Sequence, residues 1–194
     1  MTGVGLRERK KVATREALYR AAMQLAVERG FDGFTIEDVA DAAEVSRRTF
    51  SNYFSSKEDA LLFGDRARTR VLIDSVRARP ADETPWACLT RAAEDFYEAI
   101  GVRDAAWVAQ ARMIRNHPAL LAQQAAIHAE RENEIAHLIA PRLADGTSMA
   151  PRLMAAAFLV SLRVATDTWL DRPAGTALMP LVREALAASA ERFT

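Results

Sequence analysis

Apolar residues recur every three or four positions almost throughout the chain, and no stretch of useful length shows the strict alternation of a strand. The first stripe is Leu18, Ala21, Ala22, Leu25 and Ala26, which predicts an amphipathic helix over about residues 7–29. Gly30 follows as its stop, because a glycine just past a helix accepts the left-handed backbone that a side chain resists. After the turn Phe31-Asp32-Gly33-Phe34, Thr35 with Asp38 three residues on forms a variant capping box and opens a short second helix to about residue 43. Ser46 caps a third helix through about residue 53. Ser55 with Glu58 repeats the signature and opens a longer fourth helix toward Arg79. Pro80 to Pro85 has the composition of a linker, although the domain break is expected earlier, inside the fourth helix near Leu61. Further helices are predicted at about 85–101, 103–116, 118–143, 149–171 and 175–193, with Pro118 and Pro151 in first turns, where a missing N–H costs little. The expected fold is all-α. An N-terminal three-helix unit with a helix-turn-helix covers residues 1–60, and a C-terminal helical domain covers 61–194.

The stretch 35–61 carries the functional signal. Val39, Ala40, Val45 and Phe50 are spaced to pack two short helices together against the first, which turns Arg47, Arg48, Ser51 and Asn52 outward. That is the helix-turn-helix pattern, whose second helix enters the major groove. The outward residue types suit the task. Arginine donates two parallel hydrogen bonds to guanine, and asparagine pairs bidentately with adenine. The hydroxyls of Thr49 and Tyr53 and the Lys57 ammonium suit phosphate oxygens, which set register rather than sequence. Residues 7–20 add Arg7, Arg9, Lys10, Lys11, Arg15 and Arg20 against only Glu8 and Glu16, a basic arm suited to further phosphate contacts.

Residues from about 7 to 62 resemble the DNA-binding domain of the TetR family of bacterial transcriptional regulators. The likeness rests on the long first helix ending in Gly30-Phe31 and on the Phe34-Thr35 entry. It continues through Ile36-x-x-Val39-Ala40, Val45-Ser46-x-x-Thr49-Phe50-x-x-Tyr53-Phe54 and Ser56-Lys57-Glu58. The resemblance implies an all-α homodimer, DNA reading by the third helix, and a C-terminal domain for ligand binding and dimerisation. It implies phosphate contacts at Thr35, Thr49, Tyr53 and Lys57, and base-facing positions at Arg47, Arg48, Ser51 and Asn52. With the helix-capping Ser46, these form the expected DNA-contacting set. Two positions depart from the family pattern. Glu44 stands where the turn usually has glycine, and a side chain held at positive φ costs about 1 kcal/mol. Ser51 stands where an aromatic residue is frequent.

The C-terminal part is less specific. An apolar pocket for a small, hydrophobic effector is expected there, with Trp86, Phe96, Trp107, Met113, His117, Phe158 and Trp169 as candidate lining residues. Gln110, Arg112 and Asn133 are further polar candidates. Leu153, Ala156, Ala157, Val160 and Val164 form one stripe, and Leu178, Leu181, Val182, Ala185 and Leu186 another; both are expected to build a four-helix dimer surface.

Composition removes other classes. The 194 residues carry 26 basic and 26 acidic side chains, so any DNA-binding charge must be local. The single cysteine, Cys88, excludes an internal disulfide and suits a reducing compartment. No secretory signal is read in the charged N-terminus, and the longest apolar run, 153–160, is too short to span a bilayer. A cytoplasmic protein without a membrane partner is expected. Nucleophile-elbow, zincin and phosphate-loop motifs are missing, and His117, His128 and His137 show no metal-ligand spacing. The expectation is therefore a DNA-binding regulator with no catalytic site, metal or cofactor, whose partners are a double-stranded operator, a small-molecule effector and a second copy of the chain. Repression and activation are not separable at this level.

Overall fold

A computed structural model describes residues 5–100, 105–143, 149–173 and 175–191. The described residues form α1 (Leu6–Arg29), α2 (Ile36–Ala42), α3 (Arg47–Ser51), α4 (Lys57–Leu61), α5 (Phe63–Ala78), α6 (Pro85–Ile100), α7 (Ala105–Asn116), α8 (Pro118–Ile139), α9 (Ala150–Leu170) and α10 (Leu178–Ala190). Short 3₁₀ turns at Phe31–Gly33 and Ala140–Arg142 complete the list, and no strand occurs among the described residues. The fold is all-α, as the periodicity implies.

Two compact units divide the chain, one from Met1–Asp65 and Ala109–Gln123, the other from Arg66–Val108 and Gln124–Thr194. The sequence expectation is a single break near residue 60. The first unit in addition takes in the segment 109–123, which lies far along the chain and has no local signature of belonging there.

In the first unit α1 is the wall against which the short helices pack. Its buried face, Leu18, Ala21, Ala22, Leu25 and Ala26, is the stripe read from sequence, with Met23 added. Phe31, Phe34, Val39, Ala40, Phe50, Phe54, Ala60, Leu61 and Leu62 close the core, each fully buried Val, Leu or Phe side chain contributing about 1.5–3 kcal/mol. Gly30 sits at φ 76°, in the left-handed region that its place after α1 demands. The predicted capping box is present at Thr35 and Asp38, and Ser46 accepts from the Thr49 N–H at 3.0 Å.

Two local expectations change. The cap of α4 is Ser56, which accepts from the Asp59 N–H at 3.1 Å, while Asp59 reaches back to the Ser55 N–H at 2.9 Å. The box is thus set one residue later than Ser55 with Glu58, because adjacent serines offer two registers and Asp59 fits the second. The fourth helix is also not continuous. It breaks at Leu62 (φ −81°, ψ −3°) between α4 and α5. Buried Gln110 of α7 donates its side-chain amide to the Leu61 carbonyl at this break. Just beyond, a Cβ on Gly64 would lie 2.3 Å from the Tyr19 hydroxyl, so glycine is what lets α5 approach α1.

In the second unit Trp86, Cys88, Leu89 and Phe96 of α6, Ile135 and Ile139 of α8, and Phe158 and Leu162 of α9 share one core. The proline-flanked stretch after α5 is not a free linker. Arg142 donates to the carbonyls of Arg79 at 3.0 Å and Pro80, and so caps the C-terminal end of α5. α9 is long and apolar enough to cross a membrane by length and composition alone. Its packing is that of a core helix, with Met154, Ala155, Phe158, Leu162 and Ala165 buried and Arg152 paired to Glu132 at 3.2 Å. The opposite face leaves Leu153, Val160 and Val164 exposed by 53%, 48% and 45%. On α10, by contrast, Leu178, Val182 and Leu186 are buried inside the protomer, where α10 packs on α9. Three of the five residues of that stripe are therefore core, while Leu181 and Ala185 stay half-buried.

Glu44 is the one non-glycine residue with positive φ among the described residues, at 53°. Replacing it by glycine removes a strain of about 1–2 kcal/mol and adds a chain-entropy cost of about 0.5–1 kcal/mol. Glu44→Gly is therefore expected to raise stability in urea unfolding by about 0.5–1 kcal/mol. Glu44→Ala, which keeps a Cβ, is expected to give no such gain; equal behaviour of the two variants would contradict the strain account.

Candidate nucleic-acid interface

The third helix has five residues, too few to persist alone in water. Its orientation comes from what lies beneath and at its ends. Phe50 on the inner side is fully buried and packs on Phe54, with ring centroids 5.8 Å apart. Phe54 in turn meets Phe63 edge-on at 5.7 Å, and Phe63 meets Tyr19 of α1 at the same spacing. The Ser46 hydroxyl holds the N-terminal end through the Thr49 N–H, and the two hydroxyls lie 2.8 Å apart. At the other end Arg15 of α1 donates to the Tyr53 carbonyl at 3.4 Å. Its guanidinium lies 5.7–6.0 Å from the ring centres of Phe63, Phe54 and Tyr53, within cation–π range.

With Phe50 turned in, Arg47, Arg48, Ser51 and Asn52 are exposed together, as their spacing implies. Thr49 and Tyr53 are half-buried beside them, and Ser46 is exposed at the helix start. Ser51 donates to the Arg47 carbonyl at 3.2 Å, leaving Asn52 as the outward amide. Thr35 is exposed at the start of α2, with its hydroxyl 2.7 Å from an Asp38 oxygen. That bond, then the 2.7 Å bond from the Thr35 N–H, holds the Asp38 carboxyl below its ordinary range. The capping box is thus complete above the ordinary carboxylate range and is lost as acid protonates Asp38.

Lys57 lies elsewhere. Its ammonium donates to the carbonyls of Phe31 at 2.8 Å and Phe34 at 3.4 Å, and sits 4.4 Å and 5.1 Å from the centres of their rings. At the same turn the His117 ring lies 3.8 Å from that of Phe31, with Nε2 3.3 Å from an Asp32 oxygen. Of the basic arm, Arg7, Arg9, Lys10, Lys11 and Arg20 are exposed, whereas Arg15 is the aromatic clamp described above. Sequence spacing gives no sign of this division, because a long cationic side chain has an apolar stem that packs equally well on rings. The clamp at Arg15 and the carboxylate of Glu37, 2.6 Å from Arg47, are the two contributors that spacing alone does not reveal.

The candidate effector residues fall into two groups. Trp86, Phe96, Trp107, Phe158 and Trp169 meet in the core of the second unit, where Trp107 stacks on Trp169 at 5.5 Å and Tyr97 lies edge-on to Trp107 at 6.5 Å. Met113 and His117, with Gln110 and Arg112, belong to the segment packed into the first unit.

The comparisons with known proteins agree with this geometry. The family described as "Bacterial regulatory proteins, tetR family" matches residues 18–62, and the "MftR C-terminal domain" matches residues 83–194. The HTH-type transcriptional regulator TcmR of Streptomyces glaucescens is 33% identical over 180 residues, covering 88% of this chain and 79% of that protein. The chain belongs to the TetR family. Members of that family are helix-turn-helix, DNA-binding transcriptional regulators, and this is the class of the present protein. Among solved structures, the TetR-family repressor FadR of Thermus thermophilus, crystallised with lauroyl-CoA, superposes with a TM-score of 0.63 at 25% identity, covering 91% of this chain and 93% of that one. A TetR-family regulator of Streptomyces coelicolor A3 superposes with a TM-score of 0.62 at 18% identity over 96% and 98% of the two chains, which supports the fold.

Within this TetR-family head, Lys57 holds the turn before α2. Lys57→Ala is expected to cost about 1.5–3 kcal/mol of stability through the lost charged hydrogen bonds. It is expected to change the salt slope of DNA binding by less than the ~0.9 that one phosphate contact contributes. Urea unfolding and salt titrations check both; an unchanged stability with a flattened slope would assign Lys57 to phosphate instead.

Proposed function

We propose that this regulator is a repressor that binds a near-palindromic operator as a homodimer and releases it when a small hydrophobic molecule occupies the C-terminal unit. The observation that carries the reading is the row Arg47, Arg48, Ser51 and Asn52, exposed on a helix anchored from below by Phe50. These four are the base-facing set, and Thr35, Ser46, Thr49 and Tyr53 supply hydroxyls to the flanking phosphates. Two copies related by a two-fold axis present two such helices to major grooves about one helical turn apart.

The apolar stripe on α9 supports the dimer. Leu153, Val160 and Val164 recur on one face with the half-buried Ala156 and Ala157 between them, and a self-complementary apolar face is what a two-fold interface needs. The aromatic cluster of Trp86, Phe96, Trp107, Phe158 and Trp169 supports an effector with an apolar part, and the repressor FadR, crystallised with lauroyl-CoA, is a relative whose ligand carries a long acyl chain. The effector works by binding the released form better than the DNA-bound one, a coupling of about 1–3 kcal/mol. Its action on the chromosome makes the cytoplasm the working compartment.

A duplex enriched from a random pool by the protein is the reagent for the test. Arg48→Ala is expected to weaken binding to that duplex by about 1–3 kcal/mol and binding to random duplex by much less. Equal losses on both would make Arg48 a phosphate contact, and failure of the protein to enrich any duplex would overturn the reading. Replacing Val160 and Val164 together by glutamate is expected to halve the sedimenting mass at micromolar concentration; an unchanged mass would move the dimer surface away from α9.

A further inference from the structure

Arg47 and Arg48 are adjacent at the start of the reading helix, yet their electrostatic settings differ. The Arg47 guanidinium lies 2.6 Å from the carboxylate of Glu37, which projects from the first turn of α2. Arg48 has no carboxylate in ion-pair range among the described residues. Both members of the pair are solvated, with side-chain exposures of 68% and 52%, so the contact does little for stability. Its effect is on what Arg47 offers to DNA.

A guanidinium has five N–H donors, and Glu37 leaves several of them pointing forward. The charge, however, is neutralised within the pair. Affinity for phosphate comes mainly from counterion release, which requires an unpaired positive charge. A phosphate must therefore compete Arg47 away from Glu37 and then gains little beyond the bond it displaced. A base edge such as guanine O6 and N7 is neutral and asks for direction, not net charge. The pair meets that demand, because the carboxylate fixes the side chain while free donors remain. Specificity is a difference of affinities, and weakening the wrong mode raises it as surely as strengthening the right one.

We propose that Glu37 is a specificity-determining positioning residue that holds Arg47 as a base reader and withholds it from phosphate. This rests on the DNA-binding reading above and adds to it a partner on the neighbouring helix α2 of the same chain. It differs from simple repulsion of DNA by a carboxylate, which would act whether or not Arg47 is present.

The test is a cycle of wild type, Glu37→Gln, Arg47→Ala and the double variant. Each is titrated with the enriched duplex and a scrambled duplex of equal length over about 50–200 mM salt. Glu37→Gln is expected to tighten binding to scrambled duplex about fivefold, to steepen its salt slope by ~0.9, and to change binding to the enriched duplex less than about twofold. The ratio of the two affinities then falls by at least about threefold. In the Arg47→Ala background the same Glu37→Gln change is expected to leave that ratio within about twofold. A ratio unaltered by Glu37→Gln in the native background, or lowered equally when Arg47 is absent, overturns the proposal while leaving the DNA-binding reading intact. A wild-type protein that discriminates between no duplexes overturns both.

Discussion

A five-residue helix has no stability of its own, and the reading surface of this protein depends on how that helix is held. Three contacts do the holding: the Ser46 cap, the buried Phe50, and the Arg15 bond to the Tyr53 carbonyl. None faces DNA. The turn at Glu44, φ 53°, leads the chain from α2 to the Ser46 cap, and Phe50 packs on Phe54 beneath α3. Rigidity beneath the helix is what makes its outward side chains a fixed pattern rather than four mobile polar groups.

Positive charge in the head is divided by environment. Arg15 and Lys57 lie against aromatic rings and backbone carbonyls, where their charge is matched inside the protein. Arg47 is matched by Glu37 on the surface. Arg48 and the exposed basic residues of α1 keep their charge for solvent or a polyanion. A balanced total of 26 basic and 26 acidic residues is therefore compatible with a DNA-binding face, because position rather than sum sets the local field.

Much of this was legible in the sequence, and what was legible has local causes. The α1 stripe, the caps at Thr35 and Ser46, the stop at Gly30 and the positive φ at Glu44 each depend on residues within one or two turns. What escaped depends on partners distant in the chain. The break at Leu62 is met by Gln110, and the turn at Phe31 is met by His117, both from a segment whose periodicity marks a helix and nothing more. The adjacent serines at 55 and 56 escaped for a different reason, because two capping registers compete and Asp59 selects one. On α10 spacing marks an apolar face but not how its residues divide, because such a face suits the protomer's own core as well as a second copy.

In the proposed complex the head matches the Arg15 charge internally and offers the guanidinium groups of α3 to DNA. Nε–Hε resonances of the arginine side chains, followed while an enriched duplex is added, test it directly. Arg47 and Arg48 are expected to shift strongly while Arg15 stays where it was. A spectrum in which Arg15 responds and both α3 arginines remain unchanged would contradict it.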